Sequence, residues 1–196
     1  MKTKFIGSVV AAVFSLSGTA HANFHLYDIQ EVFSNSDGSV LFVELFTTSS
    51  GQQNLTGHTL RFEILAAIQG TVPLSTLTTD SANKAILIGT ANLTTLYGIT
   101  PDFVIPAQFF APGANNFLNF GEGTDRVNLT SLPTNGTSSL NGLIANSGQT
   151  SADTSINALA TPRNYAGQTV TIPEPSMASL CLLALGFVAS FRSRIR

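Results

Sequence analysis

Two glutamates lie on neighbouring apolar segments near the start of the chain. Glu31 belongs to residues 24–33 (FHLYDIQEVF) and Glu44 to residues 40–47 (VLFVELFT), with turn-forming residues 34–39 between them. This arrangement predicts a β-hairpin whose strands bring the two carboxylates together. Such a pair could supply an acid and a base or ligate Ca²⁺. Carboxylates on strands also accept hydrogen bonds, and that structural role is the favoured interpretation.

Other candidate sites in the sequence lack the residues that would complete them. Asn35, Asp37 and Gly38 resemble part of a calcium loop, but its terminal glutamate is missing, so a plain turn is predicted. His25 and His58 have no third ligand at metal-binding spacing. We therefore predict no metal site.

The remaining motifs of enzyme chemistry are also incomplete. No serine lies in a G-x-S-x-G sequence that would activate it. Gly121 and Gly123 lack the third glycine and the helix of a dinucleotide-binding loop. The sequence thus predicts no catalytic residue and no cofactor.

The elements that would position these residues are short strands. Residues 40–47 are apolar on both faces apart from Glu44, which predicts a central strand, and residues 59–64 alternate as a half-buried strand does. Residues 66–79 are less regular, and Pro73 there favours an edge strand or a loop.

The pattern of short elements continues along the chain. Residues 84–89 (KAILIG) form another buried run, residues 91–97 predict one helical turn, and residues 126–129 predict a strand. Such strands without a long helical period predict an all-β sandwich.

The charge and cysteine content narrow the class of protein. The chain between Asp28 and Glu174 contains all eleven acidic residues but only four basic ones. An acidic domain does not attract a phosphate backbone, so we predict no nucleic-acid partner. The single cysteine, Cys181, lies in an apolar tail and leaves the rest of the chain without a disulfide.

The first residues have the features of a secretory signal peptide. Lys2 and Lys4 precede the apolar residues 5–16, and an Ala-His-Ala sequence ends at Ala22. Signal peptidase is therefore an expected partner, and cleavage after Ala22 would leave Asn23 as the mature N-terminus.

The last twenty-five residues combine three features. A stiff extended tripeptide is followed by fifteen uncharged residues, 177–191, and then by a cluster of arginines. A helix of that length covers about 22 Å, less than the hydrocarbon core of a bilayer, so a permanent span is marginal. The arginines should hold the C-terminus on the cytoplasmic side. The tripeptide is Pro173, Glu174 and Pro175, and the arginines are Arg192, Arg194 and Arg196.

This order of features resembles the PEP-CTERM sorting signal of Gram-negative bacteria. In that family the signal is read by an exosortase, an integral-membrane cysteine transpeptidase that is thought to cut near the motif. The resemblance implies export through the inner membrane, transient anchoring there, and a final location at the cell surface or outside the cell. The alternative is an ordinary tail anchor whose prolines only end a helix.

A second resemblance covers residues 24–130. The sequences IQEV at 29–32, FVEL at 42–45 and LTGHTL at 55–60 are similar in order and spacing to motifs of the lamin-tail domain. His58 departs from that family, which usually has tryptophan there. The resemblance implies an immunoglobulin-like β-sandwich and no particular chemistry.

These features divide the chain into four parts. We predict a signal peptide at 1–22, a β-sandwich at 23–145, a polar linker at 146–171, and a sorting signal with a short transmembrane helix at 172–196. The favoured function is a non-catalytic protein of the cell surface or extracellular matrix, with exopolysaccharide as a candidate partner. The alternative is a small secreted hydrolase or carbohydrate-active enzyme with a carboxylate site on the sandwich.

Overall fold

A computed structural model describes residues 26–123, 125–141, 150–151 and 159–173. Within these ranges no helix is long and apolar enough to cross a membrane. The predicted signal peptide and the predicted transmembrane helix both lie outside the described residues.

The described residues form ten strands and one short helix. In chain order these are β1 Asp28–Ser34, β2 Leu41–Thr47, β3 Thr59–Ile64, β4 Ala67–Pro73, β5 Lys84–Thr90, α1 Asn92–Tyr97, β6 Phe103–Ile105, β7 Asn116–Phe120, β8 Asp125–Asn128, β9 Leu140–Asn141 and β10 Thr150–Ser151. The all-β expectation is confirmed, and the predicted helical turn is present as α1. Gly98 ends that helix in the left-handed region, with φ of 73°.

The first sheet, sheet A, has the strand order β6-β5-β2-β1-β9. Strand β2 lies at its centre, as the apolar pattern of residues 40–47 predicts, and pairs antiparallel with β1 and with β5. Strand β6 pairs parallel with β5 because α1 carries the chain over between them.

The second sheet, sheet B, has the order β10-β8-β7-β3-β4. Strand β4 is an edge strand that ends at Pro73, which confirms the edge interpretation of that proline. Strands β3 and β4 form a hairpin in which Ile64 pairs with Ala67, so that only Leu65 and Ala66 lie in the loop. The sequence did not predict this hairpin, because its loop contains no Gly, Asn, Asp or Pro.

The main core lies between the two sheets and is built from the inward-facing side chains of both. Asp125 links the sheets at one edge, since its Oδ2 accepts a hydrogen bond of 2.6 Å from the backbone N–H of Ile29. The largest fully buried side chains of this core are Tyr27, Ile29, Leu41, Leu45, Leu55, Leu60, Ile86, Phe110 and Phe120.

A second apolar cluster lies on the outer face of sheet A. Phe33 and Phe42 stack there, with ring centroids 5.3 Å apart, and Leu87 is fully buried beside them. Residues 159–173, the C-terminal segment, cover this face and add Ala160 and Ile172 to the cluster.

The C-terminal segment therefore differs from the predicted polar linker. Of residues 146–171, the stretch from 159 onward packs on the sandwich, and its Arg163 and Thr169 form an antiparallel bridge. Residues 146–149 and 152–158 of that prediction lie outside the described ranges. The prediction rested on lean composition, but a few apolar residues and hydrogen bonds are enough to hold a segment on a face that is already apolar.

Candidate functional site

Glu31 and Glu44 face each other directly across strands β1 and β2. A register shift between Ile29 and Glu31 marks a β-bulge in β1 just before the pair. Both glutamates are 1% exposed and lie on the outer face of sheet A. The sequence prediction that the hairpin brings the two carboxylates together is thus correct.

Glu44 binds the C-terminal segment through Arg163. Glu44 Oε1 accepts hydrogen bonds from Arg163 Nη2 at 2.7 Å and from Nε at 3.1 Å, and Oε2 accepts one from the Arg163 backbone N–H at 2.7 Å. The guanidinium also lies over the ring of Phe46, 4.8 Å from its centroid. One carboxylate therefore fixes both the side chain and the backbone of Arg163.

Glu31 binds the same segment two residues earlier. Glu31 Oε1 accepts a hydrogen bond of 2.9 Å from the backbone N–H of Thr161 and one of 2.7 Å from Ser139 Oγ. Burial raises the pKa of Glu31, although these bonds act in the opposite direction. Burial likewise raises the pKa of Glu44 to about 7, against the opposing effect of Arg163.

Asp102 provides a third carboxylate for the segment. Its Oδ2 accepts hydrogen bonds from the backbone N–H groups of Leu87, at 2.8 Å, and Tyr165, at 2.9 Å. Lys84 Nζ donates to the Tyr165 carbonyl at 3.2 Å, and the Tyr165 hydroxyl donates to the Thr79 carbonyl at 2.5 Å. A cleft of ≈ 420 Å³ lies beside these side chains.

The end of the segment is fixed by backbone hydrogen bonds. The Ile172 N–H donates to the Ala160 carbonyl at 2.9 Å, and the Ala160 N–H donates to the Thr137 carbonyl at 2.7 Å. Ile172 is fully buried, whereas the next residue, Pro173, is exposed. The folded part of the chain therefore continues to the first residue of the Pro-Glu-Pro tripeptide.

In this arrangement Glu31 and Glu44 hold a chain segment. The atoms of Glu31 and Glu44 that reach the segment already accept hydrogen bonds, and the segment covers both groups. Among residues 26–123 and the later described stretches, no group of three or more histidine, cysteine or acidic side chains could hold a metal ion.

The other candidate residues lie in turns. Asn35 Oδ1 accepts from the Val40 N–H at 3.0 Å and Asp37 Oδ1 from the Ser39 N–H at 2.9 Å. Hydrogen bonds from the side chain and backbone of Ser39 lower the pKa of Asp37. Gly38 has φ of 67°, as a turn glycine can. The plain turn predicted from Asn35, Asp37 and Gly38 is therefore what forms.

His58 lies near Glu122. Its Nδ1 is 3.4 Å from Glu122 Oε2, and Glu122 also pairs with Arg61 at 3.1 Å. Gly121 and Gly123 have positive φ in the turn that carries Glu122. His58, Arg61 and Glu122 thus form a polar group near the start of β3.

Several predicted site residues lie outside the part of the chain that the structure describes. These are His25, the predicted cleavage residues Ala22 and Asn23, the motif residues Glu174 and Pro175, and the arginines Arg192, Arg194 and Arg196. Their roles stay predictions.

Sequence reasoning missed Arg163, Asp102 and Tyr165 as the residues that fix the C-terminal segment. One signal was available, because Arg163 is the single basic residue between Arg126 and Arg192, and Glu44 is the single acid in an otherwise apolar strand. An isolated charge in an apolar strand requires a partner when it is buried.

Comparison with known families identifies the tail. Residues 171–196 match the PEP-CTERM protein-sorting motif. The chain thus carries a PEP-CTERM sorting signal, which implies export, transient anchoring in the membrane and processing by an exosortase. No curated protein and no solved structure matches the chain. The lamin-tail resemblance stays a prediction.

Proposed function

We propose that this chain is a non-catalytic protein of the cell surface or extracellular matrix, delivered through its C-terminal sorting signal. The observation that carries the proposal is that the sorting motif begins within the segment that is folded on the sandwich. The match begins at residue 171, while Ile172 is still buried on the sandwich. The sandwich thus presents the motif directly.

The spacing between fold and tail supports this presentation. Four residues, 173–176, separate Ile172 from the apolar run that begins at Met177. Even when fully extended, this connection spans at most about 18 Å between the Cα atoms of Ile172 and Met177. A protease that reads the tripeptide at the membrane therefore meets the folded sandwich beside it.

A non-catalytic role is supported by the engagement of the candidate carboxylates. Glu31 and Glu44 each accept hydrogen bonds from the C-terminal segment, and Asp102 Oδ2 accepts two from backbone N–H groups. A general base needs an acceptor atom that a substrate can reach. The alternative of a small secreted hydrolase or carbohydrate-active enzyme would need an open cleft, such as the one beside Lys84 and Tyr165.

The test is the intact mass of the protein recovered from its native host. Replacing Pro173, Glu174 and Pro175 together with alanine should leave removal of residues 1–22 intact and block removal of the tail. Pro112→Ala, at another exposed proline, serves as the matched control and should be processed as the wild type is. An unchanged mature mass in the triple variant would contradict the proposal, and added mass on the wild type would reveal an attached glycan.

A further inference from the structure

The loop of the β3–β4 hairpin exposes a run of apolar side chains. Residues 64–68, the apolar tip, have the sequence Ile-Leu-Ala-Ala-Ile, and all five are exposed. Leu65 is 72% exposed and Ile68 is 54% exposed. Single exposed apolar residues are ordinary, whereas a contiguous run at the end of a hairpin indicates a contact surface.

The backbone of the tip gives a second, independent observation. Leu65 has φ of 50° and Ala66 has φ of 66°. A two-residue hairpin loop with positive φ at both positions favours Asn-Gly, because side chains with a Cβ are strained there. The chain thus places apolar side chains where polar turn residues would fit with less strain.

The tip lies at the same end of the sandwich as the β1–β2 turn. The Leu65 N–H donates to the Asn115 carbonyl at 3.0 Å. The loop that contains Asn115 also contains Gln108, whose N–H donates to the Gly38 carbonyl of the β1–β2 turn at 2.8 Å. Both hairpin loops therefore border the same connecting loop.

The C-terminal segment leaves the sandwich toward this end. Its turn, at Tyr165, contacts Thr79 and Lys84 at the opposite end, where β5 begins. From there the chain returns to Ile172, which belongs to the same apolar cluster as Val40. Because Val40 lies directly after the β1–β2 turn, we call this the exit end.

The charges of the described loops differ between the two ends. The loops of the exit end, residues 35–40, 65–66, 91–99, 106–115 and 129–136, contain Asp37 as their single charged residue. The opposite end contains Asp80 and Glu122 in loops and Lys84 at a strand start. Charged groups resist leaving water, so the exit end is the one suited to a lipid surface.

We propose that the apolar tip docks on the lipid bilayer while the tail anchors the chain. The inference rests on the proposed function, because the tail must lie in the membrane. The short connection of residues 173–176 then holds Ile172, at the exit end, within about 18 Å of the start of the apolar run at Met177. Leu65 and Ile68 lie at the same end, so they face the interface, and their burial there adds to the hold of a marginal span. A second copy of the chain is the competing occupant.

The experiment uses the full chain in vesicles of phosphatidylethanolamine and phosphatidylglycerol. Cys181→Ser removes the native thiol, and an environment-sensitive fluorophore is attached at Leu65→Cys or, as the matched control, at Ser75→Cys. Ser75 is also exposed but follows β4 at the opposite end. Lipids that carry a quencher in their acyl chains should quench the Leu65 label at least about twofold more than the Ser75 label.

A second variant tests whether docking depends on the apolar side chains of the tip and not only on where the tip lies. With the fluorophore at Ala67→Cys, replacing Leu65 by Asn and Ala66 by Gly should reduce lipid quenching to the level of the Ser75 label. This change favours the same loop conformation, so the hairpin is expected to remain folded.

Each outcome is decisive. Protein that floats with the vesicles but shows equal quenching at both sites overturns docking and leaves the sorting proposal intact. Blue-shifted emission from the Leu65 label whose intensity the lipid quenchers do not reduce means that the tip is buried against a second copy of the chain. This result likewise overturns docking. Wild-type protein that fails to float overturns the membrane anchoring on which both proposals depend.

Discussion

The outer faces of the two sheets carry the same chemical pair in different surroundings. On sheet A, Arg163 Nη2 lies 2.7 Å from Glu44 Oε1, and on sheet B, Arg126 Nη2 lies 3.2 Å from Glu63 Oε2. Each guanidinium also lies over a phenylalanine ring. The first pair joins a strand to a distant part of the chain, whereas the second joins strands of one sheet. Similar pairs thus join different parts of the chain: one holds the C-terminal segment on sheet A, and the other links strands β8 and β3 within sheet B.

The sequences of the strands explain why the outer face of sheet A is covered and that of sheet B is open. Residues 59–64 of sheet B alternate apolar and polar side chains, so their outer face is suited to water. Strand β2 of sheet A is apolar on both faces, and Phe42 on its outer face is fully buried. A strand of that kind requires a covering layer, and residues 159–173 provide it.

The largest expected loss of stability comes from removing the ion pair that holds the C-terminal segment on sheet A. Arg163→Ala should destabilise the protein by about 3 kcal/mol, because it leaves the carboxylate of Glu44 buried without its cation. Arg126→Ala, the matched change on sheet B, should cost less, about 2 kcal/mol, because Glu63 is also buried but keeps a hydrogen bond from Asn119 Nδ2. Urea unfolding measures both values.

Hydrogen exchange distinguishes release of the C-terminal segment from a general loss of stability. The amide of Ile172 should lose its protection in Arg163→Ala and keep it in Arg126→Ala. Equal exchange in both variants would mean that the pair does not hold the segment.

Glu44 on the covered face should make the stability of the protein depend on pH. Burial raises the pKa of Glu44 from its usual value near 4.5 to about 7, so the folded protein binds this proton more tightly than the unfolded chain does. Stability should therefore be highest below pH 4.5 and fall, by on the order of 2 kcal/mol, as the pH rises to about 7. Thermal unfolding across this range measures the change.

The same scan in two variants assigns the effect. Glu44→Gln should flatten part of the fall, and a residual slope is expected from Asp28 and Asp125, whose pKa values burial raises to about 6. Asp37→Asn, at an exposed turn, should leave the fall in place. A wild-type protein that becomes more stable between pH 5 and 7 would contradict this account.

The smallest effect should have the opposite sign. Replacing Leu65 by Asn and Ala66 by Gly relieves two positive-φ positions in the hairpin of the open sheet and should stabilise the protein by about 1 kcal/mol. In the β1–β2 turn, Gly38→Ala should do the reverse, because Gly38 has φ of 67° and an added Cβ would lie 3.2 Å from Gln108 Cγ. Urea midpoints that move in the same direction for both changes would refute the assignment of strain.

Strong local patterns made part of the fold predictable. The apolar run of β2 and the alternation of β3 gave a central strand and a half-buried strand, and Gly98 marked the end of α1. The pairing of Glu31 with Glu44 followed from the hairpin itself. Each of these features depends on residues close together in the chain.

The features that were missed depend on distant residues or on unfavourable local chemistry. The bond from Arg163 to Glu44 spans 119 positions, and no composition rule locates such a partner. The loop at Leu65 and Ala66 lacks every usual turn residue, so local preference argued against the hairpin that forms. The sorting motif was found because its three parts are contiguous.

The burial of Ile172 determines what the processed molecule would look like. If the cut falls close to the tripeptide, the chain up to Ile172 remains held on the sandwich by the hydrogen bond from the Ile172 N–H to the Ala160 carbonyl. Anything joined there would sit against one fixed side of the module, next to the β1–β2 turn. Many copies attached in this way would share one orientation relative to the attachment point.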